Sequence, residues 1–126
     1  MSRRFNLTDR LNSFRFALLG LRYLVASEHN ARLHLLATIA VIALGLLFGV
    51  SADEWRWLIL SIALVWLAEA FNTALERLGN AVSLDHDPNI GRAKDVSATA
   101  VLIASIAAAA IGLLVFGPHF VGWLTK

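Results

Sequence analysis

The chain has 126 residues, of which 58% are hydrophobic and only 16% charged, with a mean hydropathy of +0.67. A soluble domain carries about 25% charged residues, so the composition excludes an ordinary soluble enzyme and points to one integral membrane domain, residues 1–126. The absence of cysteine excludes disulfides, thiolate metal sites and cysteine nucleophiles, and with a net charge of +2 no nucleic-acid partner is expected.

Residues 6–28 read as an amphipathic helix. Leu7, Leu11, Phe14, Leu18, Leu21 and Val25 follow at alternating steps of four and three, which holds them on one face. Asn6 is placed to cap it, and basic side chains decorate the other positions. The pattern is that of a surface helix lying on the cytoplasmic leaflet; the plainer alternative is a helix packed on protein. A first span covers 33–50, near the lower limit for crossing a bilayer. Ser51 to Glu54 make a short outer turn, and Trp55 and Trp57 sit where interfacial aromatics belong. A second span covers 55–75. Residues 79–93 read as a loop, with Gly79, Pro88 and Gly91 as breakers. A third span covers 96–123, with Pro118 expected to end its regular helix early. Ala100, Ala104, Ala108 and Gly112 recur every four residues as a small-residue packing face.

Basic residues set the orientation. Arg3, Arg4, Arg10, Arg15, Arg22 and Arg32 precede the first span, only Arg56 lies between the first and second, and Arg77, Arg92 and Lys94 lie between the second and third. The N-terminus and second loop are therefore expected in the cytoplasm, with the first loop and C-terminus outside. No cleavable signal peptide is expected. Three spans and a surface helix cannot readily enclose a large substrate, so a closed oligomer with sites between protomers is expected.

The residue with most chemical information is Glu69, deep in an apolar run. A carboxylate at membrane depth costs several kcal/mol and marks a functional site by default. On a helix, Glu69, Asn72, Thr73, Glu76 and Asn80 fall within an arc of roughly 100°, a polar stripe that an apolar core does not need. Neither a G-x-x-x-x-G-K-[ST] nor a G-x-G-x-x-G motif is present, so a bound nucleotide would need other donors. Arg92, Lys94 and Asp95 lead into the third span and offer a phosphate site at a helix N-terminus; topological anchoring is the simpler explanation. Glu28 ends the surface helix one turn before Arg32, in the spacing of a surface ion pair. Together with Glu76, Glu28 also suits Mg²⁺, which takes a few carboxylate oxygens alongside phosphates. His29 and His34 lie about 140° apart around a helix and make a poor shared metal pair. Asp85, His86 and Asp87, beside Pro88, read either as a solvated turn or as a nucleotide contact.

Four segments then carry a family likeness: S-F-R-F-A-L-L-G-L-R (Ser13 to Arg22), E-H-N-A-R-L-H (Glu28 to His34), E-A-F-N-T-A-L-E (Glu69 to Glu76) and G-R-A-K-D (Gly91 to Asp95). Nearly the whole chain resembles the prokaryotic diacylglycerol kinase family of small trimeric membrane lipid kinases, and its first two segments look closer to the undecaprenol kinase branch. The resemblance implies an all-α membrane homotrimer in the bacterial inner membrane. It also implies ATP- and Mg²⁺-dependent phosphorylation of the primary hydroxyl of a membrane lipid, undecaprenol or diacylglycerol. It makes Glu69 the general base, Glu28 and Glu76 the metal-holding carboxylates, and Lys94, Asp95 and the Asp85, His86, Asp87 stretch part of the ATP site. Asn72 and Asn80 support the motif, and Glu69 and Arg32 serve the lipid alcohol. Two positions depart from the family pattern, which usually ends this motif in Val-Asp where this chain has Gly79 and Asn80. Asn80 keeps an oxygen acceptor without the charge, and Gly79 is expected to loosen the helix end by up to about 1 kcal/mol relative to alanine. The competing class is a small proton-coupled exporter, which would need neither the second carboxylate nor the Lys94–Asp95 pair; an inactive lipid-binding member of the family is the other alternative.

Overall fold

The computed structural model describes residues 6–82 and 87–125. They form four helices, α1 (Leu7–Ser27), α2 (His29–Phe48), α3 (Ala52–Val82) and α4 (Pro88–Leu124), with no strand among the described residues. Three of these, α2, α3 and α4, are long and apolar enough to cross a bilayer. The chain is an all-α membrane protein.

Asn6 caps α1 by accepting the Thr8 N–H at 3.0 Å. The apolar stripe of α1 is turned away from the rest of the chain: Leu7, Leu11, Phe14, Leu18 and Leu21 are 50–72% exposed. An apolar face left open on this scale suits contact with lipid. At Glu28 the backbone becomes extended (φ −104°, ψ 127°) and the direction changes into α2. Arg32 reaches back across this break, donating from Nε to the Val25 carbonyl (3.1 Å) and from Nη2 to the Ala26 carbonyl (2.5 Å). It thereby satisfies the open carbonyls at the end of α1. The expected Glu28–Arg32 pair is not formed, because the extended residue 28 takes the two out of helical phase.

Gly49 ends α2 in the left-handed region (φ 62°), with its N–H on the Leu46 carbonyl and the Val50 N–H on Gly45, a geometry only glycine adopts at no steric cost. Ser51 and Glu54 then cap α3 reciprocally. The Ser51 N–H donates to Glu54 Oε2 at 2.7 Å and the Glu54 N–H to Ser51 Oγ at 3.3 Å.

The expected loop 79–93 is corrected. Helix α3 runs on through Gly79 to Val82, and α4 already begins at Pro88, with Asp87 as its cap and Gly91 in its first turn. Proline at the first helical position loses no hydrogen bond, and the Asp87 Oδ1 accepts the Asn89 N–H at 2.7 Å. Pro118 does not end α4 early either; the helix continues to Leu124, proline being tolerated in membrane-spanning helices.

The main packing is between α3 and α4. Ser97 and Val115 of α4 are buried, Ala104, Ala108 and Gly112 of the small-residue stripe are half-buried, and Ala100 is exposed. A small core of Val50, Leu58 and Val115, flanked by Phe48, Trp55 and Phe116, closes the α2–α3 turn end. There His119 Nε2 lies 2.9 Å from Glu54 Oε1, with its ring stacked on Phe48. The polar site lies toward the other end of the bundle.

Candidate active site

Glu69, Asn72 and Thr73 are buried on α3, and Glu69 is only 2% exposed. With Glu76 one turn further on, Glu69 and Asn72 line a cleft of about 300 Å³ whose other walls are Asn30 and His34 of α2 and Ala98, Val101 and Leu102 of α4. Of the helical stripe read from the sequence, Glu69, Asn72 and Glu76 form the polar side of this cleft, whereas Thr73 faces a different, apolar pocket and Asn80 holds Lys94.

Asn72 is held in one orientation. The Ser97 hydroxyl lies 2.6 Å from its Oδ1 and 2.8 Å from the Lys94 carbonyl, while the Asn72 Nδ2 donates to Glu76 Oε1 at 3.3 Å. The amide oxygen must accept from Ser97 for its nitrogen to face the carboxylate, so a buried serine on α4 aims Glu76 through Asn72.

Glu69 has no such support. Its Oε2 and the Nε2 of His34 are both buried without a hydrogen-bond partner, 3.6 Å apart. Unsatisfied buried polar atoms cost about 1–3 kcal/mol each, and in a native fold such groups call for a chemical explanation. One turn deeper, Trp66 Nε1 donates to Thr38 Oγ1 at 3.0 Å and Thr38 donates to the His34 carbonyl at 2.7 Å, tying α2 to α3 beneath the pair.

Glu28 is drawn to Arg77, whose Nη2 lies 2.5 Å from its Oε1; Ser27 Oγ donates to the same oxygen at 3.1 Å. The Arg77 hydrogen bond holds the Glu28 carboxyl below the usual glutamate range against the opposing effect of its partial burial. The Arg77 guanidinium also sits over the Tyr23 ring at 5.4 Å. Glu28 does not line the Glu69 cleft, but its charge and that of Glu76 both act on Glu69.

Lys94 reaches across from α4, and its Nζ donates to Asn80 Oδ1 at 2.6 Å. Gly79 seats the stem of this lysine: a Cβ there would fall 3.0 Å from both Lys94 Cε and Ile90 Cγ2. The two positions that depart from the family pattern are therefore one device, a glycine that admits the lysine and an amide that holds its ammonium without neutralising it. Asp95 is exposed beside it. Asp87 is engaged as the α4 cap, and Asp85 and His86 lie outside the described residues. Arg32 is turned to α1 and does not line the cleft.

No group of three or more His, Asp or Glu side chains among the described residues is arranged to hold a metal. The carboxylates available, Glu28 and Glu76, offer oxygen donors only, and Ser27 and Arg77 both bond Glu28 through its Oε1. That donor set fits a hard cation completed by phosphate oxygens and water.

Sequence reasoning missed His34 as a partner of Glu69, weighing it only against His29. The signal was available: an ionisable residue in an apolar span faces a cavity or a partner. It also missed Arg77 and Ser97, whose roles arise only from contacts between helices.

Residues 15–116 match the family model described as prokaryotic diacylglycerol kinase. The chain is 34% identical over 106 residues to the undecaprenol kinase of Bacillus subtilis (strain 168), covering 84% of this chain and 86% of that one. It is 38% identical over 103 residues to a diacylglycerol kinase of Synechocystis sp., covering 81% of this chain and 59% of that longer protein. It is 31% identical over 101 residues to the diacylglycerol kinase of Escherichia coli (strain K12), covering 80% of this chain and 83% of that one.

Proposed function

The chain belongs to the prokaryotic diacylglycerol kinase family, and from that premise we propose that it is a lipid kinase acting on a membrane-embedded alcohol. The donor is ATP with Mg²⁺, and the acceptor is the primary hydroxyl of undecaprenol or diacylglycerol. The observation that carries this reading is Glu69, 2% exposed and with Oε2 unpaired, at the wall of a cleft that also holds Glu76.

Phosphoryl transfer needs positioning and charge neutralisation more than covalent help from the protein. Glu69 accepts the proton of the lipid hydroxyl as its oxygen attacks phosphorus. The Ala98, Val101 and Leu102 side chains of the α4 wall offer no hydrogen bond to compete for that oxygen. Lys94, uncompensated by a carboxylate at position 80, binds phosphate oxygens of the nucleotide at the helix ends. Asn72 keeps Glu76 pointed into the cleft. Glu28 and Glu76 are the residues that would hold Mg²⁺, which neutralises phosphate charge when bound. Asp95, next to Lys94 in the chain, and the Asp85, His86, Asp87 stretch belong to the proposed nucleotide site by the family resemblance, with Asp85 and His86 outside the described residues. The arrangement suits a homotrimer in a bacterial inner membrane, with the Glu28, Glu76 and Lys94 end of the bundle in the cytoplasm, where ATP is.

Purified protein in mixed micelles, given labelled ATP and either undecaprenol or diacylglycerol over a Mg²⁺ titration, tests this. Label in the lipid phosphate, dependent on Mg²⁺, is the expected result, and the better of the two acceptors identifies the substrate. No transfer to either alcohol refutes the reading.

A further inference from the structure

The proposed reaction releases a proton that a buried base cannot keep. We propose that His34 takes that proton from Glu69 and passes it to the cleft, so that the carboxylate is restored for the next turnover. The inference rests on the reading of Glu69 as base.

The geometry that carries it is the pairing of two orphaned atoms from different helices. His34 Nε2 on α2 and Glu69 Oε2 on α3 are 3.6 Å apart, and neither has another partner. A gap of this size closes by a small side-chain movement or one water, and such contacts in enzymes without substrate are often loose. Exposure falls the right way along the pair: the Glu69 side chain is 2% exposed and that of His34 is 18%. Both line the same cleft, and the imidazole is the more exposed of the two.

The α2 backbone at His34 is tied to α3, since Thr38 donates to the His34 main-chain carbonyl and itself accepts from Trp66 of α3. From α3 the titratable groups at the cleft are Glu69 and Glu76. From α4 there are none, only Ala98, Val101, Leu102 and Ser105, and from the α1–α2 break the charge of Glu28 acts on Glu69. Among the described residues no arginine or lysine lines this cleft to oppose a transient imidazolium.

The atoms balance. The lipid O–H bond breaks, its proton forms a bond to a Glu69 carboxylate oxygen, the lipid oxygen forms the new O–P bond, and the bond from phosphorus to the bridging oxygen of the departing nucleoside diphosphate breaks. The proton then moves from the Glu69 carboxyl to His34 Nε2 and on to solvent, which returns Glu69 to a carboxylate and His34 to neutral imidazole. His34 acts through Glu69 and touches no substrate in this role.

The test compares wild type, His34→Gln, His34→Ala and Glu69→Gln in labelled-phosphate transfer to lipid, with kcat and both KM values followed across pH. His34→Gln is expected to lower kcat by about tenfold, less than the 10²–10⁴-fold given by loss of a direct general base, with KM for ATP within twofold. The pH dependence of kcat is expected to differ between wild type and His34→Gln, since only the wild type has the second proton acceptor. Added imidazole restores His34→Ala toward wild type, which filling a structural gap with a non-basic azole such as pyrazole does not. A His34→Gln kcat within twofold of wild type while Glu69→Gln is inactive overturns the relay and leaves the base in place. Activity in both variants overturns the reading of Glu69 as well. If His34→Gln loses helix content in detergent, imidazole rescue of His34→Ala decides, and equal rescue by pyrazole overturns the proposal.

Discussion

Replacing Glu69 by glutamine separates what the residue does for the fold from what it does for chemistry. The substitution conserves volume and exchanges a carboxylate oxygen for NH₂. In the wild type Oε2 faces His34 Nε2 without a hydrogen bond. An amide at that place offers a donor to the ring nitrogen and removes a buried carboxylate. Each orphaned buried polar atom costs about 1–3 kcal/mol, so pairing them should leave the variant as stable as wild type or more stable by about 1 kcal/mol. Catalysis should move the other way. Loss of a positioned general base removes about 10²–10⁴-fold in rate, about 2.7–5.4 kcal/mol of barrier at 1.36 kcal/mol per decade. The assay is label transfer from ATP to lipid alongside thermal unfolding in the same detergent. A protein with unchanged or raised Tm and strongly reduced kcat is expected. Turnover within threefold of wild type refutes the base. Activity and stability lost together refute the claim that an unpaired carboxylate is kept there for chemistry.

Lys94→Gln removes the charge held over Asn80; charge-assisted hydrogen bonds contribute about 1.5–3 kcal/mol, so KM for ATP should rise about 10–100-fold with KM for lipid unchanged, and an unchanged ATP titration refutes the phosphate role. The Glu28–Arg77 pair makes stability depend on acid. Because Arg77 depresses the Glu28 carboxyl, its contribution is full above the ordinary glutamate range and fades as pH falls through the depressed value. The Tm gap between wild type and Arg77→Gln should be present at neutral pH and close below about pH 4; a gap independent of pH refutes it. Gly45→Ala would put a methyl 2.6 Å from Cη2 and 2.7 Å from Cζ2 of Trp55. Overpacking costs about 1–3 kcal/mol against at most about 1 kcal/mol regained in helix propensity, so Tm should fall while kcat, governed by the other end of the bundle, holds; an unchanged Tm refutes the contact.

The sequence carried those features that one helix determines by itself. The 4,3 spacing in α1 and the stripe from Glu69 to Asn80 are periodicities, and periodicity survives folding because a helix fixes which residues share a face. What it could not carry arises between helices. Gly79 and Gly91 read as breakers because isolated glycine costs helix stability, yet α3 continues through Gly79, where Lys94 and Ile90 of α4 close in on the place a Cβ would take. Glu28 and Arg32 have the spacing of an ion pair, which presumes continuous helix; one extended residue at 28 sends Arg32 to the α1 carbonyls and leaves Glu28 for Arg77. His34 was measured against its neighbour His29, when its partner lies on the next helix.

On the proposed function a base inside the bilayer has to meet a nucleotide outside it, and the α3–α4 pair offers a way. At the end of the bundle that holds Glu69, two side-chain hydrogen bonds cross between these helices, Ser97 to Asn72 and Lys94 to Asn80, while His119 meets Glu54 at the other end. Asn72 and Asn80 are about 12 Å apart along α3 at 1.5 Å per residue, whereas Lys94 and Ser97 are only about 4.5 Å apart along α4. The difference is roughly the length of an extended lysine side chain. The Lys94 backbone therefore sits near the layer of Asn72, where its carbonyl meets Ser97, and its ammonium emerges a turn or more toward the helix ends. Lysine suits this place because an aliphatic stem can lie along apolar surface while the charge stays at its edge. Glu76 lies about 10 Å from Glu69 along the same axis, a span that a triphosphate can bridge only if it enters from the helix ends with its terminal phosphate innermost. On the proposed function, the lipid hydroxyl then has to approach from the side at the level of Glu69, and Lys94 holds the polyphosphate above it. The polar stripe is long because donor and acceptor enter at different depths.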